Sequence, residues 1–263
     1  MRYIVILLFS LMLFSCGQSE LVDGYGDIEG YITNGQTGAA ISGVSVYVEG
    51  YQSQTETTTN GSGYYKINNV QAGTKTINVS INGYIAQRPN AYLKKNRTNT
   101  VTLSLLTTAY AANKIVAILS WNQTVQDLDS HLYVPVNNTA PSTHVSFENT
   151  GNIDNAPYAI LDVDDVDGSG PETIAVKWNG TALSYPRKHR YFVHNFSQSG
   201  LPTAPKFTQS EAQVRVYKNG TLISEFSVPE NCLETYWHVF DIESNGAITP
   251  VSSCSNTIPS DVY

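Results

Sequence analysis

Charge is scarce in this chain: Asp, Glu, Lys and Arg make up 14% of its 263 residues, against about 25% in an ordinary globular protein. Basic residues are the scarcer sign, 15 Lys and Arg against 22 Asp and Glu, for a net charge of -7. That shortage argues against nucleic acid, whose phosphate backbone needs clustered Lys and Arg. The densest basic run, Lys94-Lys95-Asn96-Arg97, is too short to change this and reads as loop decoration. Cysteine is limited to Cys16, Cys232 and Cys254. Helical periodicity of useful length is missing after the first residues, and so is any internal repeat. Enzyme signatures are missing as well. The five histidines, His131, His144, His189, His194 and His238, show neither a short-spaced zinc pair nor a His-Glu-x-x-His helix. There is no Gly-x-Ser-x-Gly elbow for a serine hydrolase. No catalytic residue is assigned.

What the chain does have is strands and turns. Tyr, Thr, Ser, Asn and Gly take the place of charge, which suits a β-rich protein in an oxidising, non-cytosolic compartment. The length allows two domains, each with its own core. At the start, Arg2 precedes an apolar run from Tyr3 to Phe14, the charged and apolar regions of a secretory signal and too short for a membrane span. Leu13-Phe14-Ser15-Cys16 resembles the bacterial lipobox. That resemblance implies a signal peptide over residues 1–15, lipidation at Cys16 and a bilayer as first partner. Acyl chains at about 0.8 kcal/mol per buried methylene make such an anchor stable. Gly17 rather than Asp follows Cys16, so the resemblance favours the outer membrane. Residues 16–26 read as a tether. With Cys16 lipidated, Cys232 and Cys254 form an even pair and are expected to be bridged.

Residues 27–106 alternate polar and apolar residues in short runs, as in Asp27–Thr33 and Val44–Glu49, with Asn60-Gly61 marking a hairpin. The order of Gly30, Thr37-Gly38, Ile41-Ser42-Gly43-Val44, Asn60-Gly61 with Tyr64 and Tyr65, Ala72-Gly73 and Gly83-Tyr84 resembles the carboxypeptidase regulatory-like domain. The resemblance implies a transthyretin-like β-sandwich, related to carbohydrate-binding-like folds and without catalytic residues. Thr59 stands where that family usually has Asp before the hairpin, a place where a turn tolerates it.

Thr107–Asn113 is a small-residue link, and residues 114–252 form a second, larger β unit, sandwich-like or jelly-roll, followed by a tail over 253–263. Leu119-Ser-Trp121, Asp127-Leu-Asp129-Ser-His131 and Leu161-Asp162-Val-Asp164-Asp165, with Gly168-x-Gly170-Pro171-Glu172, resemble the YfaP-type envelope domain, which has no assigned activity. Asp127, Asp129 and His131 alternate, so a strand carries them on one face. With Asp162, Asp164, Asp165 and Glu172 they form two acidic patches that could converge on calcium. An EF-hand register fails, because Val163 and Ile174 fall at required ligand positions. Two readings stay open: a calcium cage of Asp127, Asp129, Asp162, Asp164, Asp165 and Glu172, or a solvated Asp/Gly turn. Trp121, Trp178 and Trp237 lie in strand-like segments and read as core rather than sugar platforms.

The expectation is an all-β protein of two tandem sandwiches, lipid-anchored in the cell envelope and without enzymatic activity. It binds or scaffolds, with calcium as cofactor and an envelope protein or a polysaccharide as partner. The competing class is an envelope hydrolase, a glycosidase or metal-dependent enzyme, built on the acidic loops.

Overall fold

A computed structural model describes residues 24–136, 141–166, 168, 170–199, 201 and 203–261. The expected signal peptide, Cys16, most of the segment read as a tether and Asp167 lie outside the described residues. Among those described, no helix is long and apolar enough to cross a membrane.

The first unit contains β1 (Tyr25–Asn34), β2 (Ser45–Val48), β3 (Thr57–Thr58), β4 (Tyr64–Gln71), β5 (Gly73–Ser80), β6 (Asn90–Leu93), β7 (Thr98–Thr100) and β8 (Leu103–Leu105). One sheet pairs β4, β1 and β7, with β8 also joined to β1; the other runs β3-β2-β5-β6. Alternation puts Ile28 and Ile32 of β1, Val46 and Val48 of β2, and Ile77 and Val79 of β5 into one core between the sheets. Between β7 and β8 the strand is broken at Val101 and Thr102, where Val101 N–H donates to the Glu29 carbonyl. Gly30 is required there, since a side chain would collide with the Val101 carbonyl. Thr59 does more than fill a turn: its buried Oγ1 accepts from Val44 N–H at 2.9 Å and donates to the Ile41 carbonyl at 2.6 Å. The last two residues of the segment read as a tether, Tyr25 and Gly26, already belong to β1, paired with Gln71 and Val70.

The second unit contains β9 (Lys114–Ser120), β10 (Asp129–Val134), β11 (Thr143–Val145), β12 (Gly151–Asn152), β13 (Ala159–Val163), β14 (Glu172–Lys177), β15 (His189–His194), β16 (Gln213–Lys218), β17 (Thr221–Ser227), β18 (Tyr236–Ile242) and β19 (Ile248–Ser255). A five-stranded sheet, β11-β10-β15-β18-β19, faces a six-stranded one, β12-β13-β14-β9-β16-β17. All their pairings are antiparallel. Leu132, Tyr191, Val193, Trp237 and Phe240 from the first sheet meet Leu119, Leu161, Ile174, Val214 and Val216 from the second. Strand β19 runs to Ser255, three residues into the segment read as tail. The rest of that segment folds back, with Arg190 donating to Ser260 Oγ and Ser142 N–H donating to Asp261. Cys232 and Cys254 are bridged, Cα atoms 5.6 Å apart.

The link between the units is packed structure. Thr108–Ala111 form one helical turn capped by Thr107, whose side chain accepts from Tyr110 N–H. Leu106 and Ala111 join Val116, Ile118, Ala175 and Tyr217 in a separate cluster on the outer face of the six-stranded sheet. Thr173 Oγ1 donates across this junction to the Gly35 carbonyl.

Candidate functional site: a carboxylate and histidine cluster at one end of the second sandwich

The acidic stretch lies where β10 and β14 begin. After β9 the chain turns at Trp121, whose indole Nε1 donates to the Val125 carbonyl at 2.9 Å. The loop between β13 and β14 meets that indole at Gly170, at φ +71°: a side-chain carbon would sit 2.9 Å from the ring and 3.0 Å from the Leu119 carbonyl. Gly170 is therefore a packing requirement of the acidic loop.

On this floor, Asp129, Asp164 and Glu172 each offer an oxygen, and these oxygens lie within 4.8 Å of one another. Glu172 is fully buried and Asp129 is 3% exposed, whereas Asp164 faces solvent. One Glu172 oxygen accepts from Ser130 N–H, and the other is buried with no hydrogen-bond partner among the described residues. A buried oxygen of Asp127 is likewise unpartnered. Burial is the main reason these carboxyl groups hold their protons more tightly than usual, and their mutual repulsion adds to it. Asp127 is pushed up to about 6 by burial and then by Asp129, Asp164 and Asp165. Glu172 is raised well above its ordinary range by burial and Asp129. Asp129 moves up for the same first reason, against a lowering by His194.

The six residues of the anticipated cage therefore separate. Asp129, Asp164 and Glu172 converge, and Asp127 stands near enough to feel their charge. The Asp127 backbone is pinned by the turn after β15, its N–H donating to Ser197 Oγ at 2.8 Å. Asp165 caps its own loop, accepting from Gly168 N–H at 3.0 Å. Asp162 does not belong to the cage. Alternation along β13 puts it on the outer face with Ile160, where it accepts from Tyr110 Oη in the linker turn. The pattern of acids in the loop hid this, because a loop has no period but a strand does.

Histidines form the other half of the cluster, although their sequence spacing gives no hint of it. Asp129 is registered opposite His194 and His131 opposite Phe192. With a period of two, all four lie on the outer face of the five-stranded sheet. Asp129 Oδ2 lies 3.3 Å from His194 Nδ1, a contact that counts as an ion pair only when His194 is charged. His131 Nδ1 is 2.9 Å from His144 Nε2, and the His131 ring stacks on Phe192 with centroids 4.9 Å apart. His131 is buried, and among the described residues its Nε2 has no hydrogen-bond partner. Burial, then His144 and His194, push its pKa down to about 3, so the ring is neutral at ordinary pH. Tyr133, Phe147, Phe196 and Tyr236 complete this aromatic face.

The three tryptophans are buried, as expected of core. A cleft of about 570 Å³ lies elsewhere, between Ile85–Asn90 and strands β16 and β17.

Comparison with solved structures gives weak overall likenesses. A protein of unknown function, SAV2460, is 16% identical over 57% of this chain and 93% of its own, with a TM-score of 0.43. A type II cohesin–X-dockerin complex from Acetivibrio cellulolyticus contains a chain 22% identical over 31% of this chain and 58% of its own, TM-score 0.26. A candidate carbohydrate-binding protein from Bacteroides uniformis is 13% identical over 78% of this chain and 99% of its own, TM-score 0.25. None of the curated proteins matches. Residues 28–117, about a third of the chain and reaching through the link into β9, match the family described as CarboxypepD_reg-like domain.

Proposed function

We propose that this chain is a lipid-anchored cell-envelope protein that binds or scaffolds rather than catalyses, and that calcium orders the acidic end of its second sandwich. The observation that carries the calcium reading is the convergence of Asp129, Asp164 and Glu172, two of them buried, with one Glu172 oxygen left without a hydrogen-bond partner among the described residues. Calcium takes six to eight oxygens in a flexible shell, which suits carboxylates drawn from two strands and a loop. A divalent cation also offsets the repulsion that raises these carboxyl groups. Asp127 supplies a further oxygen close by. In this reading the ordered loops present a rim to an envelope protein or a polysaccharide, and acylated Cys16 holds the molecule at the outer membrane.

The non-catalytic part is supported by the regulatory-like match over residues 28–117. Equilibrium dialysis of the full mature chain against calcium tests the proposal. One ion per wild-type chain and none per Asp164→Asn chain is the expected result. Equal binding by the two chains would sink the cage. Calcium-dependent turnover of an envelope polysaccharide would replace the scaffold with the hydrolase.

A further inference from the structure

Beside the carboxylate cage, and sharing only Asp129 with it, stands a group of different chemistry. One ligand atom each from Asp129, His131 and His194 lies within 4.8 Å of the others. All three residues are at least nine-tenths buried, at 3%, 5% and 9% exposure. We propose that Asp129, His131 and His194 bind a divalent transition-metal ion of the zinc class, at a site separate from the calcium position.

Three features of the cluster point to a ligand. The first is the unpartnered Nε2 of His131, a buried polar atom that ordinarily costs free energy to leave without a bond. The second is the way the other ring nitrogens are engaged. A metal-bound imidazole normally has its second nitrogen held by a partner, which fixes its tautomer and aim. Here His131 Nδ1 meets His144 Nε2 at 2.9 Å, and His194 Nε2 meets Ser199 Oγ at 2.9 Å. A proton on His131 Nδ1, donated to His144, leaves the Nε2 lone pair free to ligate. The third is rigidity: stacking on Phe192 and Tyr236 holds the His131 and His194 rings. Zinc–nitrogen and zinc–oxygen bonds of roughly 2.0–2.2 Å bring ligand atoms to about 3.3 Å apart in a tetrahedral shell, a modest contraction from the present spread. Two imidazoles and one carboxylate select a zinc-class ion over calcium, which prefers an all-oxygen shell. Three protein ligands also leave a position for water or a partner's donor group.

The test uses the full chain, first stripped of metal. Zinc binding is measured by calorimetry, and cobalt(II) serves as a coloured substitute. The proposal expects one zinc per chain and a visible cobalt spectrum of a four- or five-coordinate ion. His131→Gln and His194→Asn should abolish both, whereas Glu172→Gln should keep zinc while losing calcium. His144→Phe, which removes only the partner of His131, should weaken zinc by roughly 10–100-fold. X-ray absorption on the zinc-loaded wild type gives a reading that needs no variant, so misfolding of the histidine variants leaves the test intact. Two imidazoles with an oxygen ligand support the site. An all-oxygen shell, no zinc uptake, or unchanged uptake in correctly folded His131→Gln overturns it. Loss of calcium binding with zinc binding intact removes the calcium cage alone.

Discussion

Asp127 shows how burial and charge act on one side chain. Its carboxyl is shifted from the ordinary 3.8 up to about 6, so the folded chain binds that proton more tightly than the unfolded one. Stability therefore falls as pH rises between those values, and the penalty is complete above about 6. Asp127→Asn should match the wild type at pH 4 in chelator and become the more stable of the two by pH 7. Urea melts across that range check it, and a gap independent of pH would contradict the electrostatic account. Thr59 teaches a different lesson. Read along the chain it is a tolerated turn residue, but in the fold it satisfies a buried amide and a buried carbonyl eighteen residues back. Only the second strand of the pair reveals that role. The meeting of His131 with His194 was illegible for the same reason. They are sixty-three residues apart, and cross-strand register alone makes them neighbours.

At the scale of elements, alternation made most strands legible. Asp27–Thr33 lies within β1 and Val44–Glu49 spans β2, with Ile28, Ile32, Val46 and Val48 facing inward. Asp127-x-Asp129-x-His131 was legible as one face, but only Asp129 and His131 lie within the strand, Asp127 standing in the loop before it. The same rule, applied to β13, removes Asp162 from the cage and gives it to the linker. Short edge elements were harder, because β12 and β3 have too few residues to show a period. The bridge between Cys232 and Cys254 ties β19 to the segment before β18, closing a separation of 22 residues. Its reduction should cost roughly 3 kcal/mol of stability. Denaturation with and without reductant, after thiol labelling proves that the bond has opened, measures this. An unchanged midpoint would mean the bridge constrains little of the unfolded chain.

On the scale of the whole molecule, two β-sandwich cores are joined by a third cluster, and the link read as a spacer supplies part of it. Composition marks such a stretch as small and uncharged; which neighbour it packs against depends on Leu106, Ala111 and Tyr217 meeting in space. Attachment of the molecule depends in our proposal on Cys16. Cys16→Ala should move the protein out of the detergent phase on phase partitioning, and equal partitioning of mutant and wild type would remove the lipid anchor. The central claim, that a calcium ion completes the acidic end of the second sandwich, is tested most directly by thermal melting of the full chain in calcium and in chelator. At a hundredfold excess over its dissociation constant, calcium should add about 2.7 kcal/mol, and Asp164→Asn should lose that gain while keeping its stability in chelator. Identical melting temperatures for the wild type in the two buffers would contradict the claim and leave a solvated acidic turn.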